Sequence, residues 1–282
     1  MSVTFRQREE ELFARWLRAC IERDGISTDE FARDGLLFRG ECRSVNGCWE
    51  MQPGDETELW NNARCRLLIL TKDTTLNGGM DDMRIESARQ NHTGVEVKTS
   101  LATFYKNLTL WSYALLNALQ GGRILSYDDT PDWDSLREIY ATSPIARVNC
   151  KKQIGDSTIS NECLKSHIER YASFLTEQVE MYDADVILCC GGSGVIRDFV
   201  KRCYLSDLVR FSDDGWVWYS PLTHKVVIDS YHPSVLKNKR EMYEQMMTDL
   251  RAFLAEYPEF KRERRWRRRS QRLEGEWFGD RF

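Results

Sequence analysis

The chain of 282 residues has no apolar run approaching the ~20 residues that a bilayer span requires, so no transmembrane helix is expected. Its first ten residues, Met1 to Glu10, are charged and hold no apolar signal-peptide core, which points to a cytoplasmic address. Nothing forms a Cys-x-x-Cys pair, and the nine cysteines are odd in number and irregularly spaced. A disulfide framework is therefore not expected; free thiols in a reducing compartment are. No internal repeat is visible.

What is present suits a chain that can bury a sizeable core: 41% hydrophobic residues, 30% charged and nine tryptophans. The net charge of −4 divides unevenly, with +7 on residues 261–272 and −9 on residues 1–260. An acidic body thus carries a basic tail. Such a tail attracts phosphates by releasing condensed counterions, or else lies against the acidic body.

Apolar spacing predicts an amphipathic helix over 5–22, a buried helix over 103–119 ended by Gly121-Gly122, and a helix over 161–182 capped by Ser160. Two more helices are expected, one from the glycine turn at 191–194 to about 203 and one over about 238–256. Short apolar runs predict buried strands at 65–70, 144–150 and 186–190, and a hairpin made of 216–219 and 225–228. Residues 36–62 read as loops and short turns, and 127–134 as a polar, Asp-rich segment. This alternation predicts an α/β protein, three layers α/β/α around a central, mostly parallel sheet. The expected organisation is an N-terminal helix and loop extension (1–61), an α/β domain (62–257) and a basic tail (258–282).

Chemistry concentrates where strands end. The run Val226-Val227-Ile228-Asp229-Ser230-Tyr231 leads into His232-Pro233-Ser234, and proline at 233 stops the strand and holds His232 extended. Of four histidines, His232 has the rigid local frame. Asp73 follows the first buried strand and Asn149 ends the second. A carboxylate, an amide and an imidazole along the carboxyl edge of a parallel sheet, where open α/β sheets bind ligands, form a candidate site.

These residues give the chain a resemblance to the uracil-DNA glycosylase superfamily. Leu67-Leu68-Ile69-Leu70-Thr71-Lys72-Asp73 resembles the family's strand and water-handling loop, and His232-Pro233-Ser234 its last motif. Between them, Phe104-Tyr105-Lys106-Asn107, Val148-Asn149 and Val186-Ile187-Leu188-Cys189-Cys190-Gly191 occupy the places of the aromatic segment, the base-reading asparagine and the strand before glycine. The resemblance covers roughly residues 62–256. It implies catalysis by Asp73, which would position water and stabilise a cationic sugar, and by His232, which would support the departing base. It further implies substrate binding by Lys72, Phe104, Tyr105 and Asn149, a nucleic-acid grip by Gly191, Ser193 and Ser234, and an apolar wedge at Leu236. Arg264, Arg265 and Arg268 of the tail would add phosphate contacts, with DNA as the expected partner and no metal required. Thr71 and Thr74 stand where the family has glycine and proline, and no tyrosine closely follows Asp73, which leaves the base preference open.

Some members hold an iron–sulfur cluster, and Cys42, Cys48, Cys150 and Cys163 fall in comparable regions, although Cys42 and Cys48 are spaced more widely than the family's pair. Two other readings compete. A catalytically inactive nucleic-acid or nucleotide-binding module on the same fold keeps the surface without the cleavage. A serine hydrolase would use Ser193, Asp229 and His232 in α/β-hydrolase order, although position 195 is valine where the nucleophile elbow needs glycine.

Overall fold

The computed structural model describes residues 3–40, 42–45, 48–51, 54–73, 82–84, 99–155 and 158–261, with side chains omitted for 42–51 and 99–102. Nine strands and eight α-helices form among them. Strands β1 (Gly35–Leu36), β4 (Leu67–Thr71), β5 (Ile145–Asn149), β6 (Val186–Cys190), β7 (Val209–Arg210), β8 (Val217–Ser220) and β9 (Lys225–Ser230) make a seven-stranded sheet in the order β1-β5-β4-β6-β9-β8-β7. The four central strands, β5-β4-β6-β9, are parallel; β1, β8 and β7 pair antiparallel at the flanks. A separate antiparallel pair joins β2 (Cys42–Val45) to β3 (Cys48–Met51).

Both faces of the sheet are covered, which is why its parallel strands read as unbroken apolar runs. Leu68 and Leu70 of β4 point into one core, which they share with helices α1 (Phe5–Asp24), α5 (Asn161–Arg170), α6 (Ala172–Tyr182) and α7 (Val195–Cys203). Leu67 and Ile69 point into the other, with α3 (Thr99–Leu119), α4 (Trp133–Thr142) and α8 (Lys239–Glu256). The short α2 (Glu56–Asn62) adds buried Trp60 to the first. The α/β architecture with helices on both faces is therefore as the sequence indicates, whereas the sheet as a whole is mixed and parallel only in its four-stranded core.

Local signals explain the helix ends. Thr4 and Gln7 form a capping box at the start of α1, and Gly25, at φ 68°, closes its end in the left-handed conformation that glycine adopts freely. Ser160 accepts from the Cys163 N–H at 3.1 Å and so caps α5 as expected. Three expectations need correction. The helix over 161–182 is two helices, broken at Tyr171, whose hydroxyl donates to Asp24 of α1 at 2.5 Å and whose backbone (φ −116°, ψ 21°) leaves the helical region. The stretch 36–62 holds β2, β3 and α2 rather than loops alone, and the Asp-rich segment runs on into α4, which Asp132 caps.

Helix α1, set apart as an extension on sequence grounds, is bound into the core. Its Glu9 carboxylate, 1% exposed, accepts from Arg84 (2.6 Å), from the Tyr182 hydroxyl (2.6 Å) and from the Leu36 N–H (2.9 Å). Among the described residues no helix is long and apolar enough to cross a membrane.

Candidate functional site at the carboxyl edge of the sheet

Strands β5, β4, β6 and β9 end side by side, so Asn149, Thr71, Cys190 and Ser230 set one edge from which four loops depart. The ladder continues past the strands: Cys150 and Lys151 donate to the carbonyls of Thr71 (2.8 Å) and Lys72 (2.9 Å), and Gly191 to that of Ser230 (2.9 Å). These bonds hold Lys72, Asp73 and Lys151 on one side and Gly191 and His232 on the other.

Asp73 carries a half-buried carboxylate. Its Oδ2 is buried and finds no hydrogen-bond partner among the described residues. Burial pushes its pKa above the ordinary carboxylate value, while the charges of Lys151 and Lys72 pull it down. Gly155 permits this packing, since a Cβ there would lie 2.8 Å from Asp73 Oδ2 and 2.9 Å from Lys151 Nζ.

His232 is fixed by its own turn. The Ser234 N–H donates to its Nδ1 at 3.2 Å, and the Val235 N–H to its carbonyl at 2.9 Å. Nδ1 is therefore the acceptor, and the proton of the neutral ring sits on Nε2. Burial, assisted by the positive charge of Lys72, pushes the imidazole pKa down to about 4, so the ring is neutral at pH 7. Phe104 lies against it, ring centroids 5.7 Å apart and tilted by 49°. Phe104 is half-buried, whereas Tyr105 is 6% exposed; both rings pack on the buried guanidinium of Arg147, at 5.8 and 5.9 Å.

The loop after β6 holds four successive residues at positive φ: Gly191 (88°), Gly192 (80°), Ser193 (47°) and Gly194 (89°). Glycine at 191 is required by close approach as well as by φ. A Cβ there would stand 3.0 Å from His232 Cβ and 3.1 Å from Lys72 Cε, which also shows how near those two side chains lie to the loop. Ser193 and Ser234 are exposed. Leu236 is 95% exposed just past the His232 turn, and Lys237 Nζ sits 3.9 Å from the ring centroid of Tyr231.

Asn149 stands differently from a free reading head. It is 1% exposed; its Oδ1 accepts from Thr71 Oγ1 at 2.5 Å, and its Nδ2 donates to Met83 Sδ at 2.9 Å. The residues of the hydrolase reading do not join. Asp229 accepts from Arg197 at 2.6 Å, and His232 Nδ1 is taken by a backbone N–H rather than by a carboxylate. Of the cluster candidates, Cys150 is buried, Cys163 is exposed, and the side chains of Cys42 and Cys48 lie outside the described residues. No group of three or more His, Cys, Asp or Glu among the described residues is placed to hold a metal. Arg264, Arg265 and Arg268 also lie outside the described residues.

Neither protein-family models nor curated proteins give any match to this chain. Sequence reasoning missed two residues that shape the carboxyl edge. Arg147 interrupts an apolar strand and is 2% exposed; Asn107 interrupts the apolar stripe of α3 and is 1% exposed. A charged or amide residue inside an otherwise apolar run was the available signal.

Proposed function

We propose that this chain hydrolyses the N-glycosidic bond of a base flipped out of nucleic acid, DNA by the resemblance above, as a divergent relative of the uracil-DNA glycosylase superfamily. One observation carries the reading: a neutral imidazole and a half-buried carboxylate share one sheet edge, and neither the Nε2–H of the first nor Oδ2 of the second has a hydrogen-bond partner among the described residues.

Breaking the C1′–N bond leaves its electron pair on the base and positive charge on the sugar. The Nε2–H of His232 donates to the carbonyl oxygen on which the base anion gathers charge. Asp73 faces the cationic sugar, orients the water that attacks C1′, and accepts the proton that the water loses. Phe104 offers a face for the base beside His232. Asn149 reads the base by exchanging Met83 Sδ, a weak acceptor, for a base carbonyl. The backbone around Gly191 and Ser193, with Ser234, grips flanking phosphates, and Leu236 fills the stack that the base vacates.

Oligonucleotides carrying uracil, hypoxanthine, xanthine or mismatches, cleaved with alkali after incubation, test this. Abasic sites are expected with at least one of them, lost in His232→Ala and Asp73→Asn and reduced about tenfold in Leu236→Ala. No abasic site with any substrate refutes the enzymatic reading. Full cleavage by the His232 and Asp73 variants refutes the assignment of residues. The engagement of Asn149 by Thr71 and Met83 favours a second reading, a module that binds nucleic acid without cleaving it. That reading requires binding that survives His232→Ala.

A further inference from the structure

Asn107 has no part in the chemistry above, yet it is buried at the edge where that chemistry is proposed. It lies on α3 one helical turn beyond Phe104, and both residues meet the His232-Pro233-Ser234 turn. Its Nδ2 donates to the Pro233 carbonyl at 2.6 Å. That carbonyl and the Ser234 N–H are the two ends of one peptide unit, and the N–H donates to His232 Nδ1 at 3.2 Å. Amide, peptide and imidazole thus form a continuous chain. A peptide that accepts at its oxygen becomes a better donor at its nitrogen, because each bond polarises the next.

We infer that Asn107 is a positioning residue for His232: through the Pro233–Ser234 peptide it fixes Nδ1 as acceptor and so keeps the ring proton on Nε2. The amide is costly where it stands. At 1% exposure a leucine would continue the apolar stripe of Leu108, Trp111 and Leu115, whereas an amide there needs a partner. Its partner is the one carbonyl that governs the donor to His232. Lys72, at the end of β4, is the charged group acting on the same ring, and it disfavours the imidazolium without selecting a tautomer. Selection of the tautomer falls to the peptide and to Asn107 behind it. The functional meaning of this role rests on the glycosidase reading; its test does not.

The experiment is nitrogen NMR of the full, isotope-labelled chain, with the His232 signals identified by their loss in His232→Gln. Wild type is expected to show a single Nε2–H tautomer at pH 7. In Asn107→Leu, of similar volume and without a donor, the Nδ1–H tautomer should appear and the titration midpoint should rise by about one pH unit towards the ordinary histidine value. A wild-type ring protonated on Nδ1 overturns the inference without any variant. So does an Asn107→Leu chain whose tautomer and midpoint match wild type. Should that variant not fold, Asn107→Ala, smaller and equally without a donor, is read by tautomer alone, and an unchanged Nε2–H ring overturns the inference. On a cleaved oligonucleotide, Asn107→Leu should lower kcat about tenfold with little change in KM. If wild type cleaves nothing, the glycosidase reading falls while the tautomer result still decides the role of Asn107.

Discussion

Replacing Lys152 by methionine should be among the most damaging single changes in the chain. Lys152 and Asp34 are both fully buried and form an ion pair beneath the end of β5. The Lys152 ammonium also sits 5.1 Å from the ring centroid of Trp16 and 5.7 Å from that of Phe13, both on α1. Asp34 accepts further from the Asn149 N–H at 2.9 Å and from Gln178 Nε2 at 3.2 Å. Methionine fills most of the volume but leaves the carboxylate with two neutral donors and no counter-charge. Removing one partner of a buried pair costs about 3–5 kcal/mol. At roughly 2–4 °C per kcal/mol for a chain of this size, the melting temperature should drop by about 6–20 °C. Urea unfolding followed by circular dichroism and tryptophan fluorescence measures the loss. The double variant Asp34→Leu with Lys152→Met should recover most of it, because an apolar pair of similar volume replaces a buried ion pair at little cost. A loss under about 1 kcal/mol for Lys152→Met alone would refute the reasoning, since it would mean that the Asp34 charge needs no partner.

Two expectations concern pH. The raised pKa of Asp73 means that the folded chain holds this proton more tightly than the unfolded one, so its stabilising effect exists at low pH and is lost as pH rises through the folded value. Asp73→Asn, which removes the desolvated charge, should therefore raise the unfolding free energy at pH 7 by about 1 kcal/mol, read from urea unfolding, and leave it unchanged near pH 3. His167 and His232 are both pushed down to about 4 by burial, so their contribution is present above the ordinary histidine value and is lost as pH falls towards 4. His167→Phe should make the urea midpoint less sensitive to acid over that window, and an identical pH slope would count against this account.

The sheet was legible in the sequence because its central strands are buried on both faces. Leu67 to Leu70 and Val186 to Cys190 can be nothing but interior, and the hairpin of β8 and β9 announces itself by its turn. The placement of Asp73 and His232 at strand ends was equally plain. What escaped depends on partners distant in sequence. The break at Tyr171 is set by Asp24, and Asn149 is held by Met83, 66 positions earlier. Lys152 reads as a surface charge until Asp34 is brought beneath it. Asn107 hides within an apolar helix, and its partner carbonyl lies 126 positions on. A segment such as α4, with only Leu136 and Tyr140 buried, shows too narrow an apolar stripe to stand out from a polar stretch.

The flanks of the large sheet carry one more consequence. Its outermost strands, β1 and β7, are two residues long each, Gly35–Leu36 and Val209–Arg210, although the four parallel strands between them span five or six. A stranger's backbone seeking to extend a sheet needs a run of free N–H and C=O groups, and neither margin offers more than a fragment of one. The long, apolar strands most able to recruit another chain are the ones enclosed on every side once folding is complete. Among the described residues, the margins of the large sheet thus offer little to edge-to-edge association. The time of greatest hazard is the interval on the ribosome or in refolding buffer before β1 and β7 have docked.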